Sequence, residues 1–198
     1  MKWKMYEYKN YEEYVAAQDR GCRQKLHSHA GTGPEVITEI KKRIPSALNI
    51  LCHGTRGGQE QAFFKEQYQL AYIIGTEIST TANRIPNTVQ WDFSVPKTHW
   101  IKCFDIVYSN AFDHSITPEE TLEVWMNQLT DSGSLILEMH IADKPGWEPN
   151  PTDPFAYQRQ DIIDLIESKN YKIVDEWPSP KFGSGKYKWG RPTIQVRK

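Results

Sequence analysis

Apolar positions along this chain recur in two alternating rhythms. Over residues 10–28, Tyr11, Tyr14, Val15, Gln18, Cys22 and Leu26 fall near one face with charges opposite, which predicts a helix. The GTGP at 31–34 interrupts it. Pro34 suits the first position of a second helix, striped by Val36, Ile37 and Ile40 and ended by Pro45. Compact apolar runs at 47–52, 70–75, 88–91, 104–109 and 134–139 predict buried strands, with a helix over 59–68. The TPEE at 117–120 offers Thr117 as a cap, Pro118 at the first helical position and Glu120 as capping-box partner. Leu122, Trp125, Met126 and Leu129 follow at helical spacing, and Gly133 marks the stop. A Pro-rich loop, 143–154, precedes a helix at about 157–168. YKIVDEW and TIQVRK are two final strands joined by a long loop rich in Gly and Lys.

Strands alternating with helices imply a parallel sheet covered on both faces. No helix separates the last two strands, so they form an antiparallel hairpin at the sheet edge. The expected fold is α/β: a seven-stranded, mostly parallel, doubly wound sheet with a C-terminal antiparallel hairpin and helices on both faces. Residues 1–34 read as an N-terminal helical extension and possible lid, and 35–198 as the main Rossmann-like domain.

Composition narrows the function. The 198 residues carry 24 basic and 25 acidic groups, a formal charge of −1, which gives no global attraction to nucleic acid or anionic membrane. A mean hydropathy of −0.66 and the lack of a long apolar run argue against a membrane span. The polar, aromatic start MKWKMYEYKNYEEY resembles neither a signal peptide nor a transit sequence, so the expected location is the cytoplasm. Cys22, Cys52 and Cys103 are far apart and odd in number, which suits free thiols in a reducing compartment better than a disulfide or zinc framework. No metal signature is present: His27 and His29 lack a spaced carboxylate or cysteine set.

The densest chemistry lies in ILCHGTRGGQE at 50–60, followed about twenty residues on by Glu77 in AYIIGTEI. A strand, a glycine-rich turn, a helix start, a second strand and a carboxylate make the front half of a nucleotide-binding unit. Glycine lets backbone approach a ligand, and a helix N-terminus offers N–H groups to it. The carboxylate suits both hydroxyls of a ribose. The G-x-G-x-x-G of a nicotinamide-dependent enzyme is absent, since the turn reads Gly54-Thr55-Arg56-Gly57-Gly58.

Over about residues 35–198 the chain resembles a class I S-adenosylmethionine-dependent methyltransferase. The resemblance rests on ordered motifs: ILCHGTRGG; Glu77 in GTEI; Asp92 in QWDF; FDIVYSNAFDHS; and LTDSGSLILEM. It implies S-adenosylmethionine as cofactor, held by His53, Gly54, Thr55, Arg56, Gly57, Gly58, Glu77, Ile78, Asp92, Phe93, Ser109 and Asn110. In that arrangement Glu77 takes the ribose diol and Asp92 the adenine amine. Ile78, Trp91 or Phe93 sandwich the ring, and Ser109, Asn110 and Ala111 run under the methionine end. Two positions depart from the family: Cys52 stands where an acidic residue is usual, and Arg56 where the middle glycine is. The first removes a usual partner of the cofactor's ammonium. The second places a cation suited to pair with the cofactor's carboxylate.

The acceptor side is thinner. If a hydroxyl is methylated, a general base helps remove its proton, and Asp113 and His114 lie just past the fourth strand. His53 and His140 end strands and are placed to face the same crevice. SNAF replaces the Asn/Asp-Pro-Pro-aromatic signature of base or glutamine methylation, which argues against a nucleic-acid acceptor. Lys181, Lys186, Lys188 and Arg191, interleaved with Phe182, Tyr187 and Trp189, form a basic, aromatic loop. The N-terminal helix and the Trp147 loop are candidate lids, expected to be more mobile than the sheet. The leading expectation is O-methylation of a small-molecule or glycan-like acceptor. The alternative, favoured by Cys52 and Arg56, is a catalytically silent binding protein that keeps the fold. Oligomeric state is not legible.

Overall fold

The computed structural model describes residues 3–28, 31–139, 147–180 and 192–198. In chain order the elements are β1 (Lys4–Met5), α1 (Tyr11–Lys25), α2 (Pro34–Arg43), β2 (Asn49–His53), α3 (Gln59–Gln67), β3 (Tyr72–Glu77), β4 (Thr88–Gln90), β5 (Phe104–Ser109), α4 (Pro118–Gln128), β6 (Leu129–Glu138), β7 (Phe155–Ala156), α5 (Arg159–Ser168), β8 (Lys172–Pro178) and β9 (Pro192–Arg197). Short 3₁₀ turns occupy Thr80–Arg84, Thr98–Trp100 and Phe112–His114.

Seven strands form one sheet in the order β4-β3-β2-β5-β6-β9-β8. Pairing is parallel from β4 to β6 and antiparallel where β9 meets β6 and β8. The order reverses beside β2, so the carboxyl ends of β2, β3 and β5 open a crevice at the topological switch point. Strand parity divides the core. Leu51, Val107, Leu135 and Leu137 pack with Leu122, Trp125 and Met126 of α4 and with Ile162, Leu165 and Ile166 of α5. Ile50, Cys52, Ile106, Tyr108 and Ile136 face the other way, toward Val36, Ile37 and Ile40 of α2 and Phe64 of α3. Both faces are therefore covered, as continuous apolar strands require.

Two local expectations fail for identifiable reasons. Gly133 does not stop α4, which ends at Gln128; the chain turns extended at Leu129 and enters β6 directly. Leu129 pairs with Phe104, and the register then jumps to Ile106 opposite Ser134, a bulge in β6. A Cβ on Gly133 would lie 2.8 Å from the Phe104 carbonyl oxygen, so this glycine lets the bulge close against β5. The TPEE capping box also does not form, because the Thr117 side chain makes no cap hydrogen bond. Ser115 Oγ takes the Thr117 N–H at 3.1 Å instead and pairs with Thr121 Oγ1 at 2.7 Å.

The short ribbon of β1 and β7 was not expected, since two residues per strand carry no readable period. Lys4 pairs with Ala156 and Met5 with Phe155, and Trp3 sits edge-on to Phe155 at 5.5 Å. It ties the N-terminus to the segment that follows Asp153.

Among the described residues, no helix is long and apolar enough to cross a membrane.

Candidate functional site

The glycine-rich turn leaves β2 with Gly54 at φ 71°, Arg56 at φ 45° and Gly58 at φ 75°. All three lie in the left-handed region, where only glycine is comfortable. A Cβ on Gly54 would come within 2.6 Å of Ala111 Cβ, and one on Gly58 within 2.6 Å of Ile85 Cγ2. Gly54 thus presents bare backbone to the crevice. Gly57 and Gly58 do not line it. They pack the turn, since a Cβ on Gly57 would sit 3.2 Å from the Leu26 carbonyl oxygen.

The turn's N–H groups are mostly committed inward. Gly54 and Thr55 both donate to Thr76 O at 3.0 Å, and Gly58 donates to Thr55 O at 2.8 Å. The Arg56 N–H goes to Glu77 Oε2 at 3.0 Å. The turn therefore contributes close approach more than donors, a correction to the expectation drawn from its sequence. It also explains how Arg56 tolerates a left-handed backbone: the carboxylate of β3 holds its N–H.

Glu77 ends β3, buried, and lines the crevice. Its Oε1 accepts the Ser79 N–H at 2.9 Å. Burial pushes its carboxyl up, while the Ser79 and Arg56 N–H groups pull it down. Each oxygen keeps lone-pair capacity for a further donor. Asp92, past β4, also lines the crevice; its Oδ1 takes the Ser94 N–H at 2.8 Å and its Oδ2 the Tyr11 hydroxyl at 2.8 Å. Ile78 and Phe93 complete this wall. Trp91 turns away, donating to Val95 O at 2.8 Å under Lys97 Nζ, 3.9 Å from its ring centroid.

Two other expected residues are also placed elsewhere. His53 is buried, with Nδ1 2.8 Å from Thr76 Oγ1 and Nε2 2.8 Å from Gln128 Oε1, stacked on Trp125 at 4.9 Å. The Gln128 amide oxygen only accepts, so Nε2 carries the proton, and Nδ1 accepts from the Thr76 hydroxyl. Burial lowers its pKa from 6.5 to about 4, so it remains a neutral core histidine. The sign follows: the unfolded chain binds the proton first, so this group's stabilising contribution is full above 6.5 and is lost as pH falls toward 4. His53→Asn should flatten that part of a pH–stability curve followed by thermal melting. Ser109 is also off the crevice, its hydroxyl donating to His53 O at 3.2 Å and accepting the Ala111 N–H at 3.0 Å.

α1 covers the mouth from one side. Tyr14, Gln18, Gly21, Cys22 and Lys25 line it. Asp19 accepts from Ser79 Oγ at 2.6 Å, and Cys22 Sγ lies 3.2 Å from Thr81 Oγ1. The Tyr11 hydroxyl takes one lone pair of Asp92 Oδ2 and competes with any further donor there. Tyr11→Phe should therefore tighten binding of an adenine nucleoside about two- to fivefold, the worth of one exposed hydrogen bond, as read by calorimetry.

His114, Asp113 and Asp153 also line the crevice. Gln18 Nε2 donates to Thr152 O at 3.3 Å and Pro151 O at 3.4 Å, which orients its amide. Its Oε1 then accepts from His114 Nδ1 at 2.9 Å. An amide oxygen is an acceptor only, so Nδ1 carries the proton and Nε2 bears the basic lone pair. Nε2 lies 4.0 Å from Asp113 Oδ1 and 3.9 Å from Asp153 Oδ1. Two carboxylates thus face that nitrogen. Ligand atoms of the three residues lie within 4.8 Å of one another, so the corner also suits a metal ion.

Asn110, Glu60 and Arg56 belong to the same lining. Arg56 Nη1 reaches Ser28 Oγ at 3.2 Å. Glu60 was not anticipated; it follows the glycines by two residues and read as an ordinary acidic first-turn residue. His29, His140 and the basic, aromatic loop from Lys181 to Arg191 lie outside the described residues.

No protein-family model matches the chain, and no curated protein matches its sequence. Its fold aligns with solved structures. One is a 1,6-didemethyltoxoflavin-N1-methyltransferase of Burkholderia thailandensis with 1,6-didemethyltoxoflavin and S-adenosylhomocysteine bound, at TM-score 0.75 and 16% identity over 98% of this chain and 92% of that one. Another is the plantazolicin methyltransferase BpumL with a triazolic desmethylPZN analog and S-adenosylhomocysteine, at TM-score 0.68 and 15% identity, covering 94% and 96% of the two chains. A third is the O-methyltransferase of a trans-AT PKS multienzyme from Brevibacillus brevis with S-adenosyl-L-homocysteine, at TM-score 0.63 and 12% identity, covering 100% and 84%.

Proposed function

We propose that the chain, which has the fold of class I S-adenosylmethionine-dependent methyltransferases, binds S-adenosylmethionine in the crevice and methylates a hydroxyl of a small-molecule or glycan-like acceptor, as a cytoplasmic enzyme. One observation carries this reading: Gly54, Glu77, Asp92 and an oriented His114 line a single crevice.

The residues present suit the cofactor. Thr55 Oγ1 and Glu60 Oε2 are buried and without a hydrogen-bond partner among the described residues, and both side chains belong to crevice-lining residues. Buried polar atoms are ordinarily satisfied, so these two favour a polar ligand. Glu77 would take the ribose diol, Asp92 the adenine amine once Tyr11 releases it, and Ile78 and Phe93 the faces of the ring. When bound, S-adenosylmethionine supplies a methyl group on a positively charged sulfur, open to in-line attack by a nucleophile.

His114 does the acid–base work. Its Nε2 accepts the proton of an acceptor hydroxyl, and Asp113 and Asp153 stabilise the imidazolium that results. Gln18 holds the ring and its tautomer as a positioning residue. α1 excludes water from the crevice in its closed position.

Calorimetric titration with S-adenosylhomocysteine tests the binding half; absence of binding would sink the proposal. Methyl transfer from labelled S-adenosylmethionine to a panel of hydroxylated acceptors tests the rest. Binding with no turnover on any acceptor class would support the silent binding protein instead. The Asp113–His114–Asp153 cluster favours a second reading of the chemistry: loss of activity with chelator, restored by a divalent ion, would assign the cluster to a metal and not to a base.

A further inference from the structure

Glu60 stands on the first turn of α3, two residues past the glycines, only 4% exposed yet lining the crevice. Its Oε1 takes a long hydrogen bond from Asn110 Nδ2 at 3.4 Å, and its Oε2 has no partner among the described residues. A buried carboxyl with an idle oxygen is costly unless a donor arrives from outside. We infer that Glu60 receives the ammonium of the ligand's amino-acid end, while Arg56, four residues before it, faces the carboxylate of that same end. This rests on the cofactor reading above and goes beyond it, because it gives this chain a zwitterion clamp made by the turn and the first turn of α3.

The surroundings favour a cation at this place. Cys52 on β2 is fully buried, and burial with the nearby Glu60 raises its thiol well above its ordinary value, so it contributes no charge. Glu138 on β6 faces the same region and accepts from Tyr108 Oη of β5 at 2.7 Å. Arg56 is the cation facing Glu60 from the turn. Burial lifts the Glu60 carboxyl to about 7; its own backbone N–H, Asn110 and Arg56 oppose the shift, and Glu138 adds to it. Near neutral pH the side chain is therefore partly protonated in the free protein. An arriving ammonium takes the place of that proton, so binding releases it and strengthens as pH rises.

Two probes read this directly: S-adenosylhomocysteine, and its deaminated analogue, which keeps the carboxylate and has a ketone for the ammonium. From pH 6 to 7.5 the ionised fraction of a carboxyl titrating at about 7 rises about eightfold. The wild-type protein should bind S-adenosylhomocysteine more tightly by about that factor over this range, and the analogue without this gain. Glu60→Gln should weaken S-adenosylhomocysteine about 10- to 100-fold at pH 7.5 and remove the gain, with the analogue bound as by wild type. The other groups around the ligand are the same in both proteins, so the difference between them isolates Glu60. Equal pH slopes for the two probes on wild type, or a Glu60→Gln protein that binds S-adenosylhomocysteine as wild type does, would overturn the assignment and leave the cofactor reading standing. Wild type that binds neither probe overturns the cofactor reading itself. The probe comparison on wild type needs no variant to fold.

Discussion

His114→Ala should lower methyl transfer to a hydroxyl acceptor by about 10²- to 10⁴-fold, the usual worth of a positioned general base. Affinity for S-adenosylhomocysteine should change by less than about twofold, because the proposed cofactor contacts are made by Gly54, Glu77 and Asp92 and not by His114. The geometry makes the assignment specific. Gln18 accepts the Nδ1 proton at 2.9 Å, so the nitrogen facing Asp113 and Asp153 is the basic one. Gln18→Leu should therefore lower the turnover rate without altering cofactor affinity, since it leaves the imidazole present but free to rotate and to change tautomer. A pH–rate profile checks both. The pH dependence of the wild-type rate should be lost in His114→Ala, and an acceptor already ionised in solution should recover part of the lost rate. A His114→Ala enzyme as fast as wild type on a neutral hydroxyl would remove His114 from the chemistry.

Glu77→Ala should have the second large effect, a loss of cofactor affinity of about 10²- to 10³-fold by calorimetry. Two charge-assisted hydrogen bonds to a ribose diol are each worth about 1.5–3 kcal/mol, and burial strengthens them. Part of the loss will be structural. The same carboxylate takes the Arg56 and Ser79 N–H groups, and Arg56 keeps its left-handed backbone with that support. Glu77→Gln separates the contributions. Its amide oxygen can still accept one N–H, so melting temperature should fall less than in Glu77→Ala, while affinity stays low because the charge is gone. If Glu77→Gln bound like wild type, the diol assignment would be wrong and Glu77 would be a brace for the turn.

The strand and helix order was legible because burial on two faces writes itself into composition. β5 spans Phe104–Ser109 as its run of apolar residues implies, and Pro34 opens α2 where its fixed φ and missing N–H suit a helix start. Expectations failed where a neighbour competed for a local signal. Gly133 reads as a helix stop, but its small size is used to close a bulge against Phe104. Thr117 has the identity of a cap, but its side chain makes no cap hydrogen bond, and its own N–H is taken by Ser115 Oγ.

The candidate site divides the same way. Gly54, Glu77, Asp92 and His114 line the crevice because each sits at the end of a strand or in the turn after it. His53 and Ser109 share that place and were expected beside them. Successive side chains on a strand point to opposite faces, and these two meet Trp125, Thr76 and Gln128, or the backbone of the neighbouring strand. Glu60 was missed for the opposite reason: nothing in a one-dimensional pattern distinguishes a first-turn glutamate in water from one sealed beneath a crevice.

By itself, then, the sequence determined the alternation of elements, the hairpin at the edge and the carboxylates at two strand tips, because periodicity and turn chemistry are local. Only the tertiary structure decided which side chains share the crevice. It brought α1 over the mouth, set Gln18 against His114 across 96 positions and buried Glu60 with an oxygen unpaired. Those relations depend on packing between distant segments, where burial and partner choice, not residue type, decide what a polar group can do.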